Sequence, residues 1–281
     1  MTSQILQIKG HYCLIDCGEG TQYQLKQFNV KVSKIKYIFI SHLHGDHYFG
    51  LPGLLSSFNL LGRKEPIYIY GPAALRDVLV SINKASGAIY SFKINFIDTQ
   101  ASNFEKLIDT DDFSVSSFPL DHRIACTGFL FQEKSNKAKL MADKIPENFP
   151  FELRRALKEG KTVTWNGTTY YHSDFTLPPA KPKSYAFCSD TAYNEDIIGY
   201  IHGAELLYHE ATFNNDDLHR AIKTRHSTAA QAAQIALNAA VGQLIIGHFS
   251  VRYRELEELL QEAQNIFPNT KLAVEGELFY L

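Results

Sequence analysis

Between Ser41 and His47 the chain crowds three imidazoles and one carboxylate into six residues, His42, His44, Asp46 and His47. A helix would turn such a run to different faces, and a strand would split it between two. A tight loop is therefore expected to bring these four side chains together. Imidazole and carboxylate in company suit zinc or another divalent first-row metal. Packed this closely without an ion, several polar groups would lack partners, which weighs against a chance cluster of surface histidines.

Further candidates stand singly at the ends of apolar runs: His122 after 113–120, Asp190 after 185–188, His209 and Glu210 after 206–208, and His248 after 244–246. Taken alone, each is an ordinary core or surface residue. The recurrence of apolar strand, then His or Asp, then turn is the informative feature. If those strands lie in one sheet, His42, His44, Asp46, His47, His122, Asp190 and His248 fill two metal sites. A carboxylate shared between two ions is a layout that clamps a phosphodiester. His226 is a different signal. Thr228 with Gln231 three residues on fits a capping box, so a helix is expected to start just after His226. The amides of that terminus would favour a phosphate, and His226 could supply a proton; an incidental histidine at a helix start is the plain alternative. Asp16, at a strand end, could orient the metal loop through a hydrogen bond or could simply be a turn residue. His11, His172, His202 and His219 lack such a context and read as structural or surface residues.

The elements that must position these groups alternate between strand and helix. Residues 5–15 alternate loosely as a strand ending at 12–15, and a glycine-rich turn at 16–21 leads into a helix near Gln22. A buried strand at 37–40 feeds the histidine loop, and a helix at 51–58 carries Pro52 in its first turn. Strands follow at 67–70 and 94–97 around a helix at 73–86, then strands at 113–120 and 128–132. From 134 to 183 the periodicity weakens, and five of the ten prolines fall there. That stretch reads as an inserted arm with a short helix at 151–158 and a hairpin turning at Asn166-Gly167. Strands resume at 185–188, 206–208 and 244–246, with helices at 228–241 and 254–266 and a closing strand over 271–281. The fold class is α/β, with its chemistry at the carboxyl ends of the strands.

The 281 residues suffice for one large α/β domain or two small ones, and the hydrophobic and charged fractions of 45% and 21% are those of a globular protein. No apolar run reaches the roughly 18 residues of a membrane span, and the start has no signal-peptide layout. Cys13, Cys17, Cys126 and Cys188 read as buried free thiols, which fits a reducing cytoplasm. The net charge of −2 hides an asymmetry. Residues 134–161 hold eight basic side chains (Lys134, Lys137, Lys139, Lys144, Arg154, Arg155, Lys158, Lys161) against four acidic ones, so that segment is +4 and the remainder −6. This is either a solvated charged arm or a surface for a polyanion.

Read together, the segments 15–21, 41–47, 119–123, 187–191, 209–213, 226–228 and 247–253 resemble the metallo-β-lactamase superfamily and, within it, the ribonuclease Z family of tRNA 3′-processing endonucleases. The similarity runs from about residue 3 to the end. The resemblance implies an αββα sandwich with two zinc ions per chain at one edge and a single metallo-hydrolase domain over 1–281. Residues 134–183 would be its inserted basic arm, gripping precursor tRNA. By the same resemblance His42, His44 and His122 hold one zinc, Asp46, His47 and His248 the other, and Asp190 bridges. Asp46 takes the proton of the attacking water. His226, supported by Glu210, steadies the charge on phosphorus or protonates the leaving 3′ oxygen. The implied products are a tRNA with a 3′-hydroxyl and a trailer with a 5′-phosphate, and the implied assembly is a cytoplasmic homodimer. The family also opens with a further strand and a Gly-Thr-Ser-Ser-Ala-like turn that have no counterpart here, so the first strand of the sheet is expected to be missing. The arm carries Pro146 and Pro150 in place of the family's Gly-Pro-rich signature. Competing readings are a small-molecule phosphodiesterase or other hydrolase on the same scaffold, and a tRNA-binding relative without turnover.

Overall fold

The computed structural model describes residues 2–134, 138–179 and 181–281, so Met1 and the arm's Lys137 lie outside the described residues. The chain forms two compact units, Met1–Gln132 with Ser184–Leu281, and Glu133–Lys183.

Alternation along the strands builds the first unit. In Ile35–Phe39 the rings of Tyr37 and Phe39 face one way, while Ile38, and Ile40 beyond the strand, face the other. A strand apolar on both faces must be covered on both. This strand lies in a five-stranded sheet ordered Gln4–Ile8, His11–Ile15, Ile35–Phe39, Ile67–Gly71 and Ile94–Asp98. The first pair is antiparallel and the rest are parallel. The helices Thr21–Gln27, Leu51–Leu60 and Ala74–Ser86 make the crossovers. A second, seven-stranded sheet runs in the order Thr270–Leu272, Gln243–Gly247, Leu206–Glu210, Ser184–Cys188, Cys126–Glu133, Phe113–Leu120 and Glu105–Asp109. Its first four strands are parallel, so their carboxyl ends share one edge.

Three apolar layers follow. Ile15, Phe39, Phe129, Phe131 and Phe187 pack between the sheets. Leu14, Ile38, Leu54, Leu55 and Phe58 fill the space under the helices of the first sheet. On the far side the alanine face of Ala229–Asn238 (Ala232, Ala233, Ala236) lies against Ala186, Leu207 and Leu244. Each fully buried Phe or Leu contributes about 1.5–3 kcal/mol, so these layers fix which way every strand end faces. The order helix, sheet, sheet, helix is the expected αββα sandwich.

Four local expectations need correction. Residues 5–15 are a hairpin, turning where Lys9 (φ 48°) and Gly10 (φ 80°) both adopt left-handed backbone; a lysine there gives none of the Asn or Asp signal such turns carry. Glu105–Asp109 is a strand at the outer edge of the second sheet. Its charged ends concealed it, as charges on edge strands do. Short helices at Ile198–Ile201 and Leu218–Thr224 had no counterpart in the periodicity. The closing strand is only Thr270–Leu272.

The second unit has its own small core of Phe149, Leu157 and Val163, with Trp165, Tyr170 and Phe175 packed on it. The helix Phe151–Lys158 and the hairpin Val163–Trp165/Thr168–Tyr170 are both present, the hairpin turning at Asn166 (φ 46°) and Gly167 (φ 77°). Arg154 donates from its guanidinium to the carbonyls of Pro146, Glu147 and Phe149 and so holds the proline-rich lead-in to its helix. Among the described residues no helix is long and apolar enough to cross a membrane.

Candidate metal centre

The histidine loop leaves the strand Ile35–Phe39, and its second half is a short helix, Gly45–Tyr48. The four side chains thus converge from an extended stretch followed by one helical turn, not from a loop alone. The turn after the hairpin is laced to it. Cys17 N–H donates to the carbonyl of His47 and Gly50 N–H to that of Cys17. A Cβ on Gly50 would sit 2.0 Å from the Gly18 carbonyl oxygen, so this approach requires glycine at 50.

Asp16 settles its open reading. Wholly buried, it accepts Ser41 N–H on Oδ1 at 2.8 Å, and the Ser41 hydroxyl and His47 Nδ1–H on Oδ2 at 2.9 and 2.7 Å. With its Nδ1 proton so held, His47 turns Nε2 into the centre. Other histidines are fixed likewise. His42 Nδ1 lies 3.0 Å from Ser41 Oγ, His122 Nδ1 2.8 Å from the carbonyl of Arg225, and His248 Nδ1 3.0 Å from Thr212 Oγ1. Each then turns Nε2 inward, a pattern typical of imidazoles that bind metal.

These nitrogens, His44 Nδ1 and the carboxylates form two groups. His42 Nε2 lies 3.1 Å and His122 Nε2 3.2 Å from His44 Nδ1, and Asp190 Oδ2 is 3.5 and 3.8 Å from His42 and His122. In the other group His47 Nε2 and His248 Nε2 are 3.3 Å apart, with Asp46 Oδ2 at 3.5 and 3.4 Å and Asp190 Oδ1 at 3.4 and 3.2 Å. A tetrahedron whose donors lie about 2.0–2.1 Å from its centre has edges of about 3.3–3.4 Å. Both groups fit that shape, and the two oxygens of Asp190 divide between them. Asp190 is 2% exposed and no hydrogen bond reaches its Oδ1, an orphaned buried acceptor that a cation would satisfy. All seven sequence-derived ligands therefore meet at one place.

The electrostatics ask for positive charge there. Burial opposes a charge on His47, yet Asp16, Asp190 and Asp46 outweigh it and push this imidazole up to about 12. The neighbouring imidazoles of His248 and His47 hold Asp46 well below the usual carboxylate range. Burial pulls His122 down to about 4 and lowers His44 as well, which keeps both nitrogens unprotonated. A donor set of this kind accepts a divalent metal ion.

His226 and Glu210 stand beside it. The His226 ring lies 5.0 Å from that of His122 and 5.5 Å from that of His248, against both groups at once. Burial would raise Glu210, but His226 outweighs it and keeps the carboxylate ionised. Glu210 accepts from His226 Nδ1 at 2.8 Å, from the backbone of Thr191, Ser227 and Thr212, and from the Thr212 hydroxyl. The capping box of Thr228 and Gln231 forms as expected. The inference of a phosphate site at that terminus does not survive, because Ala230 N–H already donates to Glu262 Oε1 at 2.8 Å and Ala229 N–H to Phe213 O. His209 is buried with Nδ1 donating to a backbone carbonyl and takes no part in the metal groups.

Several positioning groups escaped the sequence. Ser41 flanks the histidine loop and Thr212 follows Glu210, so adjacency was the available signal. The Arg225 carbonyl gave none, since a backbone oxygen has no residue type.

A family model described as anti-Pycsar protein Apyc1 matches residues 1–145, a span that contains the donors up to His122 and none after it. Curated relatives cover nearly everything. The chain is 45% identical to ribonuclease Z of Cytophaga hutchinsonii, over 100% of this chain and 90% of the relative. It is 43% identical to ribonuclease Z of Parabacteroides distasonis, over 98% and 91%. Among solved structures, human tRNase Z, short form, aligns with a TM-score of 0.66 at 28% identity, over 89% of this chain and 86% of that one. The metallo-β-lactamase fold protein YhfI from Bacillus subtilis aligns at TM-score 0.68 and 18% identity, over 99% and 91%, a likeness of fold.

Proposed function

Because the chain belongs to the ribonuclease Z family, its first half also falling in the family described as anti-Pycsar protein Apyc1, we propose that it cleaves precursor tRNA at the 3′ end with two zinc ions per chain. It is a metal-dependent endoribonuclease of tRNA 3′ processing. The observation that carries the finer reading is the pair of donor groups between which the two oxygens of Asp190 divide, with His226 against both.

His42, His44 and His122 would hold one zinc, Asp46, His47 and His248 the other, and Asp190 both. When bound, the ions supply Lewis acidity to the attacking water and to the phosphate. The chain's own groups move the protons. Asp46, with its side chain 42% exposed, is the most accessible carboxylate of the set and takes the proton of the attacking water. Glu210 holds the Nδ1 proton of His226, so Nε2 is the atom that faces the leaving 3′ oxygen and protonates it. Cleavage leaves a tRNA 3′-hydroxyl and a trailer 5′-phosphate.

We assign residues 1–281 to one metallo-hydrolase domain and 134–183 to an arm that binds tRNA. Lys139, Lys144 and Lys158 are exposed there, and contacts between such cations and phosphates give sequence-blind affinity. Arg154 is spent on backbone carbonyls, and Arg155 and Lys161 each lie 3.0 Å from Glu159. A homodimer is the proposed assembly. Four buried free thiols suit the cytoplasm as its compartment.

The test is incubation with zinc and a 3′-extended precursor tRNA, from which a trailer bearing a 5′-phosphate is the expected product. Intact precursor alongside cleaved bis-p-nitrophenyl phosphate would instead identify a small-molecule phosphodiesterase.

A further inference from the structure

One hydroxyl lies between a candidate metal ligand and the Glu210–His226 pair. Thr212 is 7% exposed and follows the strand Leu206–Glu210 by two residues. Its backbone N–H and its hydroxyl both donate to Glu210 Oε2 at 2.8 Å. A hydroxyl has one hydrogen and two lone pairs. With the hydrogen given to Glu210, the lone pairs face His248 Nδ1 at 3.0 Å and His226 Nδ1 at 3.2 Å. His226 has the nearer acceptor, Glu210 Oε1 at 2.8 Å. His248 Nδ1 has no other acceptor among the described residues, so its proton goes to Thr212. Its Nε2 is thereby turned into the group, 3.2 Å from Asp190 Oδ1 and 3.4 Å from Asp46 Oδ2.

The backbone sharpens this dependence. His248 itself has a left-handed conformation, φ 61°, which a non-glycine residue adopts only at a steric cost. A ring leaving so unusual a backbone needs side-chain contacts to keep its direction. The stacked ring of His226, 18° from parallel, restrains its plane, and Thr212 restrains which nitrogen carries hydrogen.

We propose that Thr212 is the positioning residue of the Asp46–His47–His248 group. Its hydroxyl sets the tautomer of His248 and ties that ligand to Glu210, so metal affinity at this group and the placement of His226 depend on one oxygen. The inference rests on the proposed reading of the donor groups as metal sites. Removing a partner of this kind from a ligating histidine typically costs 10–100-fold in metal affinity or activity.

Thr212→Val keeps the shape and deletes the hydroxyl; Thr212→Ser restores it; Thr212→Ala stands in if the valine variant does not fold. Two readouts do not need turnover. Long-range ¹H–¹⁵N spectra of metal-free protein report the His248 tautomer, and competition with a colorimetric chelator reports zinc affinity and stoichiometry. The expected result is loss of the Nδ1–H signature and release of one of two zinc ions at about tenfold lower chelator, both reversed in Thr212→Ser. Unchanged zinc release and an unchanged tautomer in Thr212→Val would overturn the proposal, as would a serine variant as impaired as valine. The wild-type protein separates this failure from that of the underlying reading. No zinc bound by wild type sinks the metal sites and the role of Thr212 together. Zinc bound without cleavage of precursor tRNA sinks the substrate assignment and leaves Thr212 to be judged on its two readouts.

Discussion

In the larger unit the groups proposed for chemistry lie among buried partners: His42, His47, Asp190 and Glu210 are all at most 2% exposed. In the smaller unit Lys139, Lys144, Arg155, Lys158 and Lys161 lie on the outside, over a core of three buried side chains. The first arrangement stores geometry. His42, His47, His122 and His248 are each fixed in direction by a second residue, and the low dielectric makes each bond strong and each omission costly. The second stores charge. Exposed cations act nearly independently, are screened by salt and can stand in for one another. Changes in the two units should therefore fail in different ways.

The contrast is tested first where it should be greatest. Asp46→Ala is expected to lower cleavage of precursor tRNA by about 10²–10⁴-fold, the range for losing a positioned proton acceptor. tRNA affinity in a filter-binding assay should stay near wild type. His226→Ala should cost about 10²-fold on tRNA, whose 3′ oxygen needs a proton to leave. The same variant should do far less to bis-p-nitrophenyl phosphate, whose leaving group departs as a stable anion. Equal losses on the two substrates would show that His226 supports the fold and not the leaving group. Deleting 137–161 should weaken tRNA binding while sparing the small diester. The slope of log affinity against log salt should flatten by about 0.9 for each phosphate contact removed, scaled down for single-stranded portions. Parallel loss on both substrates would erase the distinction between the units. The smallest effect separates strain that works from strain that is idle. Ala240, exposed at φ 51° past the helix Ala229–Asn238, has no role in the centre. Ala240→Gly should raise stability by about 1 kcal/mol in urea melts with kcat unchanged.

The sandwich and the convergence of seven candidate donors were legible because both follow from residue type. Apolar runs with period two declare strands, and a His or Asp at the end of each declares an edge with chemistry. What stayed hidden depends on backbone. The Lys9-Gly10 turn, the carbonyl of Arg225 aimed at His122, and the left-handed conformations of Asp16, Arg225 and His248 have no letter that announces them. Glu262 occupies the amide that the capping-box reading had left for a phosphate, a contact made across 32 positions of chain. Pairwise distance of that kind is set by packing of the helix Glu257–Gln264 on Ala229–Asn238, which no local pattern encodes.

The bare oxygen of Asp190 has a consequence for heat resistance. A buried carboxylate oxygen without a hydrogen bond is a load on the folded state whenever the site is empty, and ligand linkage returns that stability as the free metal ion rises above its dissociation constant. The melting curve is thus a gauge of ion occupancy that needs no RNA: a chelator should slide it to lower temperature, and added zinc should slide it back.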